Sequence, residues 1–174
     1  GYQVLTANNG LDALDILKTE TPQIIFTDLI MPHIDGEKLC RIIRKMPSLK
    51  DIYLVVFSAI AAEQEVAFKD FGANACIAKG PLNRMGEHVL TVLNLLDHHA
   101  TGPLLEKTIG CEDVYPRHIT KELLSTKRHF EVILERMSEG ILEISSESRV
   151  VYANPSAIVL IGILEEKLLA ADFT

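Results

Sequence analysis

The chain has 174 residues, enough for one full domain or for one domain and part of another. Its 48% hydrophobic and 24% charged residues are those of a folded globular chain rather than a disordered one. A formal net charge of −7 argues against nucleic-acid binding through a basic face.

In chain order, the first hundred residues alternate short apolar runs with helix-period segments, the pattern of βα units. Strands are predicted at Gln3–Ala7, Gln23–Thr27, Ile52–Phe57 and Ala75–Ala78. Ile24–Phe26 and Tyr53–Phe57 are almost continuously apolar, as in parallel strands covered on both faces. Between them, Asn9 or its neighbour can cap a helix over Leu11–Thr19, and Gly36–Met46 carries Leu39, Ile42, Ile43 and Met46 at helical spacing before Pro47 stops it. A third helix is predicted over Ala62–Phe71, closed by Gly72. A fourth, over Leu82–Leu96, has an apolar stripe suited to packing on a sheet.

Residues 98–118, with Gly102-Pro103, Gly110 and Pro116, read as a linker. Beyond it Ile119, Leu123, Thr126, Phe130, Ile133 and Met137 fall at alternating intervals of four and three. An a/d seam for a partner helix and a single amphipathic helix packed on its own domain both fit that spacing. After Gly140 the period changes to that of a hairpin, Gly140–Ile144 and Arg149–Ala153 about the polar turn Ser145–Ser148. Asn154-Pro155 then caps and opens a short helix, and another short helix is predicted near Glu165–Leu169. A hairpin and two short helices are too little for a core of their own, so this unit is expected to be partial.

Cys40, Cys76 and Cys111 are far apart with no CxxC spacing, which supports neither a zinc site nor a disulfide framework and suits a reducing, cytoplasmic setting. The longest apolar run, Ile52–Ala62, is about half a membrane span. His98 and His99, His118 and His129 are expected to be surface residues, and Asp12 and Asp15 the solvated face of their helix.

Chemistry is expected at the carboxyl ends of the strands, where open parallel sheets bind ligands. Asp28 follows the second predicted strand, Ser58 the third and Lys79 the fourth. A carboxylate, a hydroxyl and an ammonium on one edge can hold a phosphoryl group: the carboxylate as nucleophile, the other two as partners of phosphoryl oxygens.

"GYQVLTANNGLDALDIL", "PQIIFTDLIMPHIDGEKLCRIIR", "VVFSA" and "FGANACIAK" resemble the receiver domains of bacterial two-component response regulators, over Gly1 to about Leu96. The D-x-x-M-P-x-x-D-G phrase from Asp28 to Gly36 is the most specific part. The resemblance implies that Asp28 is the phosphoacceptor and a magnesium ligand, that Ser58 and Lys79 contact the phosphoryl group, and that the Ile30 backbone carbonyl also binds Mg²⁺. It implies a flavodoxin-like, doubly wound parallel α/β sheet. Matched to the family, the chain opens on the second strand, so the first strand, the first helix and the acidic pair that binds Mg²⁺ are expected to lie outside it. Mg²⁺ is thus the cofactor expected of a complete receiver. Cys76 stands where the family often carries an aromatic switch residue, and Gly80-Pro81 follows Lys79 where proline is usual.

"HFEVILERMSEGILEISSESRVVYANPSAIVLIGILEEKLLAADF" is similar to the start of a PAS sensor domain. The organisation implied is a truncated receiver over 1–97, a linker and connector helix over 98–129, and the first part of an α+β PAS domain over 130–174. The implied function is phosphorelay signalling: Asp28 accepts a phosphoryl group from a histidine kinase or phosphotransfer protein, and a larger hybrid sensor kinase or regulator uses the signal. The fragment itself is not expected to be an enzyme, to bind nucleic acid or to span a membrane; it could form a homodimer through the connector helix. The alternative is a phosphorylation-incompetent pseudo-receiver that acts as a protein-interaction domain. A phosphatase of the haloacid-dehalogenase type is a weaker reading, because the acid/base position two residues after the nucleophile is Ile30.

Overall fold

The computed structural model describes residues 1–59, 67–97, 108–111 and 118–169, with the side chains of 118–121 and 123–124 excepted. Helix α1 spans Gly10–Ile16, strand β1 Ile24–Asp28, helix α2 Gly36–Lys45 and strand β2 Tyr53–Ser58. A 3₁₀ turn at Phe68–Phe71 leads to strand β3, Ala75–Ala78, and helix α3, Leu82–Asp97. Helix α4 (His118–Arg136) is followed by β4 (Leu142–Ile144), β5 (Val150–Ala153), α5 (Pro155–Ile161) and α6 (Glu165–Leu168).

Strands β1, β2 and β3 form a three-stranded parallel sheet in that order, with Ile24 opposite Tyr53 and Val55 opposite Ala75. The two-residue period of a strand divides its side chains between two faces. Ile25, Leu54, Val56, Cys76 and Ala78 join Leu11, Leu14, Leu39 and Ile43 under α1 and α2. Ile24, Phe26, Val55, Ala75 and Ile77 join Val89, Val92 and Leu96 of α3 on the other. Burial on both faces is why these strands read as continuous apolar runs. Each fully buried aliphatic side chain stabilises the fold by about 1.5–3 kcal/mol.

Local chemistry places the helix ends. Asn9 caps α1 by accepting from the Leu11 and Asp12 amides at 2.9 Å each, and Asp35 caps α2 by accepting from the Lys38 amide at 2.8 Å. Gly72, at φ 85°, closes the 3₁₀ turn in a left-handed conformation. A Cβ there would also meet Arg44 Cγ at 2.6 Å. The Arg44 guanidinium donates to the carbonyls of Gly72 and Ile52 at 2.8 Å each and to Asn74 Oδ1 at 2.6 Å, so α2 holds the loops on both sides of β2.

Three expectations need correction. Gln3–Ala7 is exposed and pairs with no strand among the described residues; a β-prone run becomes a strand only when a neighbour takes its backbone hydrogen bonds. Within the predicted linker, Ile109 bridges Ile77 in parallel: its amide donates to the Cys76 carbonyl and its carbonyl accepts from the Ala78 amide, at 2.8 Å each. Asp15 is an ion-pair partner of Arg149 rather than simply a solvated residue. The predicted third helix is described only from residue 67 onward, as the 3₁₀ turn, and its earlier part lies outside the described residues, as do His98, His99 and most of the linker.

The C-terminal unit follows the predicted order. β4 and β5 pair antiparallel with an irregularity at Glu143/Ile144, and Asn154 with Pro155 opens α5. Asn154 is fully buried and ties the unit together. Its side-chain oxygen accepts from the Ile141 and Ala157 amides at 2.9 Å each, and its amide group donates to the carbonyls of Glu139 at 2.8 Å and Leu134 at 3.1 Å. Val150, Val151, Ala153, Ala157, Leu168 and Leu169 belong to the same buried cluster as the α1–α2 face of the sheet. On α4, Phe130 and Ile133 are 63% and 51% exposed, so this part of the apolar stripe is not packed on its own domain. No helix among the described residues is long and apolar enough to cross a membrane.

Asn154→Ala removes a helix cap and leaves buried donors and acceptors unpaired, a loss expected to cost about 2–4 kcal/mol. Urea unfolding should show a lower midpoint with little change in slope; an unchanged midpoint would mean that water replaces the side chain freely.

Candidate functional site

Parallel register sets the site. Asp28 at the end of β1 lies opposite Phe57, Ser58 follows Phe57 along β2, and Ala78, opposite Ser58, precedes Lys79. The three sequence-predicted residues therefore leave the sheet at its carboxyl edge. The Lys79 ammonium donates to Asp28 Oδ2, with the two side chains 36% and 33% exposed. Asp28 Oδ1 accepts from the Ile30 amide at 3.1 Å. The Lys79 amide donates to the Ser58 carbonyl at 2.8 Å, which brings the lysine backbone alongside the end of β2. Ser58 is fully buried, and strand parity groups its side chain with Leu54 and Val56 on the α1–α2 side.

The loop after Asp28 is held tightly. The buried Thr27 hydroxyl donates to the Asp28 carbonyl at 3.2 Å and toward Met31 Sδ at 3.7 Å. His33 takes a positive φ of 63°, and the Gly36 amide donates to the Leu29 carbonyl at 3.3 Å. A Cβ on Gly36 would collide with the Asp28 carbonyl oxygen. The Asp35-Gly36 pair thus supplies a cap and the one side-chain-free residue that fits against the Asp28 backbone. Thr27 was not singled out in the sequence; a polar residue within an otherwise apolar strand was the available signal.

The donor set does not fit magnesium by itself. Mg²⁺ requires about six oxygens in a near-octahedral array, and no group of three His, Cys, Asp or Glu side chains able to hold a metal occurs among the described residues. Asp28 is instead charge-compensated by Lys79. The Ile30 carbonyl, the other expected ligand, belongs to a residue whose exposed side chain leaves the loop outward. Ile30 also offers no acid/base group beside Asp28.

Cys76, three residues before Lys79, is buried in β3, and burial pushes its thiol up to about 12. Burial does the same for Cys40, also to about 12. At pH 8 about one such thiol in ten thousand is ionised. Iodoacetamide at pH 8 should therefore leave Cys40 and Cys76 unmodified in the folded chain and label both after denaturation; rapid native labelling of either would contradict the packing.

Gly36→Ala tests the loop. In an unhindered helix the change stabilises by about 0.5–1 kcal/mol. Here the collision with the Asp28 carbonyl should reverse the sign, with a loss of about 1–3 kcal/mol. A raised melting temperature would show that the backbone yields.

Comparison with known proteins completes the picture. The sequence profile of the response regulator receiver domain matches residues 1–89. Sensor histidine kinase RcsC of Salmonella typhimurium is 34% identical over 79 residues, 45% of this chain and 8% of that protein. Sensor histidine kinase TmoS of Ectopseudomonas mendocina is 24% identical over an alignment covering 96% of this chain and 18% of its own length. Among solved structures, the signal receiver domain of a signal transduction histidine kinase from Syntrophus aciditrophicus matches with 28% identity and a TM-score of 0.44, over 54% of this chain and 73% of that one. The chain thus spans less than a fifth of the length of either kinase.

Proposed function

This chain belongs to the response regulator receiver domain family, and from that membership we propose that it accepts a phosphoryl group on Asp28 within a larger two-component signalling protein. The observation that carries the reading is the ion pair of Asp28 with Lys79 at the shared carboxyl edge of parallel strands, with Ser58 at the same edge.

The chemistry follows from those groups. A carboxylate oxygen of Asp28 attacks the phosphorus of a phosphohistidine; the new O–P bond forms as the P–N bond breaks, and the imidazole leaves and takes a proton. Lys79 then has a second anion to serve. Its ammonium shifts from the carboxylate to the phosphoryl oxygens, where the negative charge is now greater. Ser58 donates its hydroxyl to another phosphoryl oxygen once it turns outward. The Ile30 amide keeps the carboxyl oriented while these partners change. The donors grouped here do not fit a metal unaided, so no step is assigned to one.

The phosphoryl donor is a histidine kinase or a phosphotransfer protein, as for receivers in general. The output passes through α4 to the C-terminal unit, which we read as the beginning of a PAS domain. The TmoS alignment, which continues through this region, supports a sensor-kinase setting. The exposed Phe130 and Ile133 support use of α4 as a helix-pairing face in a homodimer. A pseudo-receiver that only binds partners is the second reading. Its support is the lack of a grouped metal-ligand set among the described residues.

Intact-mass measurement after incubation with phosphoramidate and Mg²⁺, on this chain and on the larger protein that contains it, separates the readings. Phosphoacceptor function predicts one base-labile phosphoryl adduct in the larger protein, lost in Asp28→Asn and at least tenfold slower to form in Lys79→Ala. An adduct that persists in Asp28→Asn overturns the assignment, and no adduct at all favours the pseudo-receiver.

A further inference from the structure

Helices α1 and α2 present a charged frame that the C-terminal unit matches. On α1, Asp15 receives the Arg149 guanidinium through two bonds, Nη1 to Oδ2 at 2.5 Å and Nη2 to Oδ1 at 2.9 Å. The Arg149 side chain is only 12% exposed. At the far end of α2, Lys45 pairs with Glu165 of α6 at 2.8 Å. At its near end, Asp35 Oδ1 caps the Lys38 amide while Oδ2 accepts from the Lys127 ammonium of α4. Between these pairs the Lys38 ammonium lies 4.4 Å from the centroid of the Tyr152 ring. Val150, Val151, Ala153 and Leu168 are buried in the same cluster as Leu11, Leu14, Leu39 and Ile43.

The signs alternate around the frame: Asp15, Lys45 and Asp35 on the receiver side meet Arg149, Glu165 and Lys127. A rotated seating would set like charges together, so the pattern selects one orientation. Exposed pairs add little to affinity, but Arg149 is nearly buried and its loss of a partner strands a charge. Burial lowers the Lys38 ammonium from its ordinary range despite the acidic side chains nearby, and hydrogen bonding from Arg149 holds the Asp15 carboxyl below the usual carboxylate range.

We infer that the α1–α2 face is an intramolecular docking surface whose occupant is this chain's own segment from Lys127 to Leu168, and that the Lys127–Asp35 pair latches this segment to the loop leaving Asp28. The latch is short in bonds. Asp35 adjoins Gly36, whose amide bonds the Leu29 carbonyl and whose Cα packs so close to the Asp28 carbonyl that no Cβ would fit. A shift of α4 that carries Lys127 away releases one oxygen of the α2 cap at the end of that loop. By linkage, whatever docking adds to the stability of the ordered loop, the ordered loop adds to docking. While docked, the same face is closed to other proteins. The docking does not depend on Asp28 taking a phosphoryl group.

Amide hydrogen exchange on the 174-residue chain tests this with a charge-swap cycle at Asp15 and Arg149. Asp15→Arg and Arg149→Asp should each speed exchange in α1, α2 and β5 by at least about tenfold, and the double swap should return it to within about threefold of the parent. Lys127→Glu should speed exchange of the Gly36 and Lys38 amides by at least about threefold while β3 stays protected. Single variants that exchange like the parent, a double swap no better than the worse single, or a Lys127→Glu variant with an unchanged loop would each overturn the proposal. If a single variant fails to fold, the double swap decides: recovered protection supports the docking surface, and unrecovered protection overturns it.

Discussion

The parallel register of three short strands is the constraint on which the rest depends. It sets Asp28 beside Phe57 and Ser58 beside Ala78, and so brings Lys79 within reach of Asp28. A slip of one residue would exchange the faces of a strand, turning the Leu54–Val56 side of β2 toward α3. Because each strand is apolar on both faces, it is the fit of side-chain volumes within each buried cluster, rather than burial alone, that holds the register. The polar edge follows from burial: the polar residues sit where the apolar runs stop.

From that edge the loop to α2 carries the most demanding geometry. Thr27, His33, Asp35 and Gly36 act on one stretch of backbone: a buried hydroxyl on the Asp28 carbonyl, a left-handed residue at the turn, a cap, and a glycine with no room for a Cβ. A tight loop of this kind transmits displacement, since its members cannot relax independently. Asp35 then gains a second partner in Lys127, so the loop beside Asp28 touches the helix that leads out of the receiver region. The C-terminal unit, organised about the buried Asn154, buries Val150, Val151, Ala153, Ala157, Leu168 and Leu169 in the cluster shared with α1 and α2, while Val159, Leu160 and Leu164 stay exposed.

How much of this was readable beforehand depends on whether the signal is local. β1, β2 and β3 were legible because their runs are apolar and bounded by polar residues. The caps at Asn9 and Asn154 and the stop at Gly72 were legible because each acts on its immediate neighbours. Asp28 and Lys79 could be placed at one edge from strand order, and their pairing followed. Gln3–Ala7 misled because strand propensity says nothing about whether a partner strand is present. Ile109 was hidden because a single bridging residue leaves no period within a Gly- and Pro-containing segment. The Asp15–Arg149 pair joins residues 134 positions apart, and no local pattern announces such a contact. Of the two readings that spacing left equal, packing on its own domain does not hold at Phe130 and Ile133, which are exposed.

The central claim is that Asp28 is the nucleophile toward a phosphoryl group, and it can be read at the atom concerned. Borohydride reduces an acyl phosphate to the alcohol, so treatment of the larger protein after exposure to a phosphodonor converts a phosphorylated aspartate into homoserine. Tandem mass spectrometry should locate homoserine at position 28, and only in samples that received donor. Homoserine at another aspartate, such as position 35, or none at any position, would contradict the account.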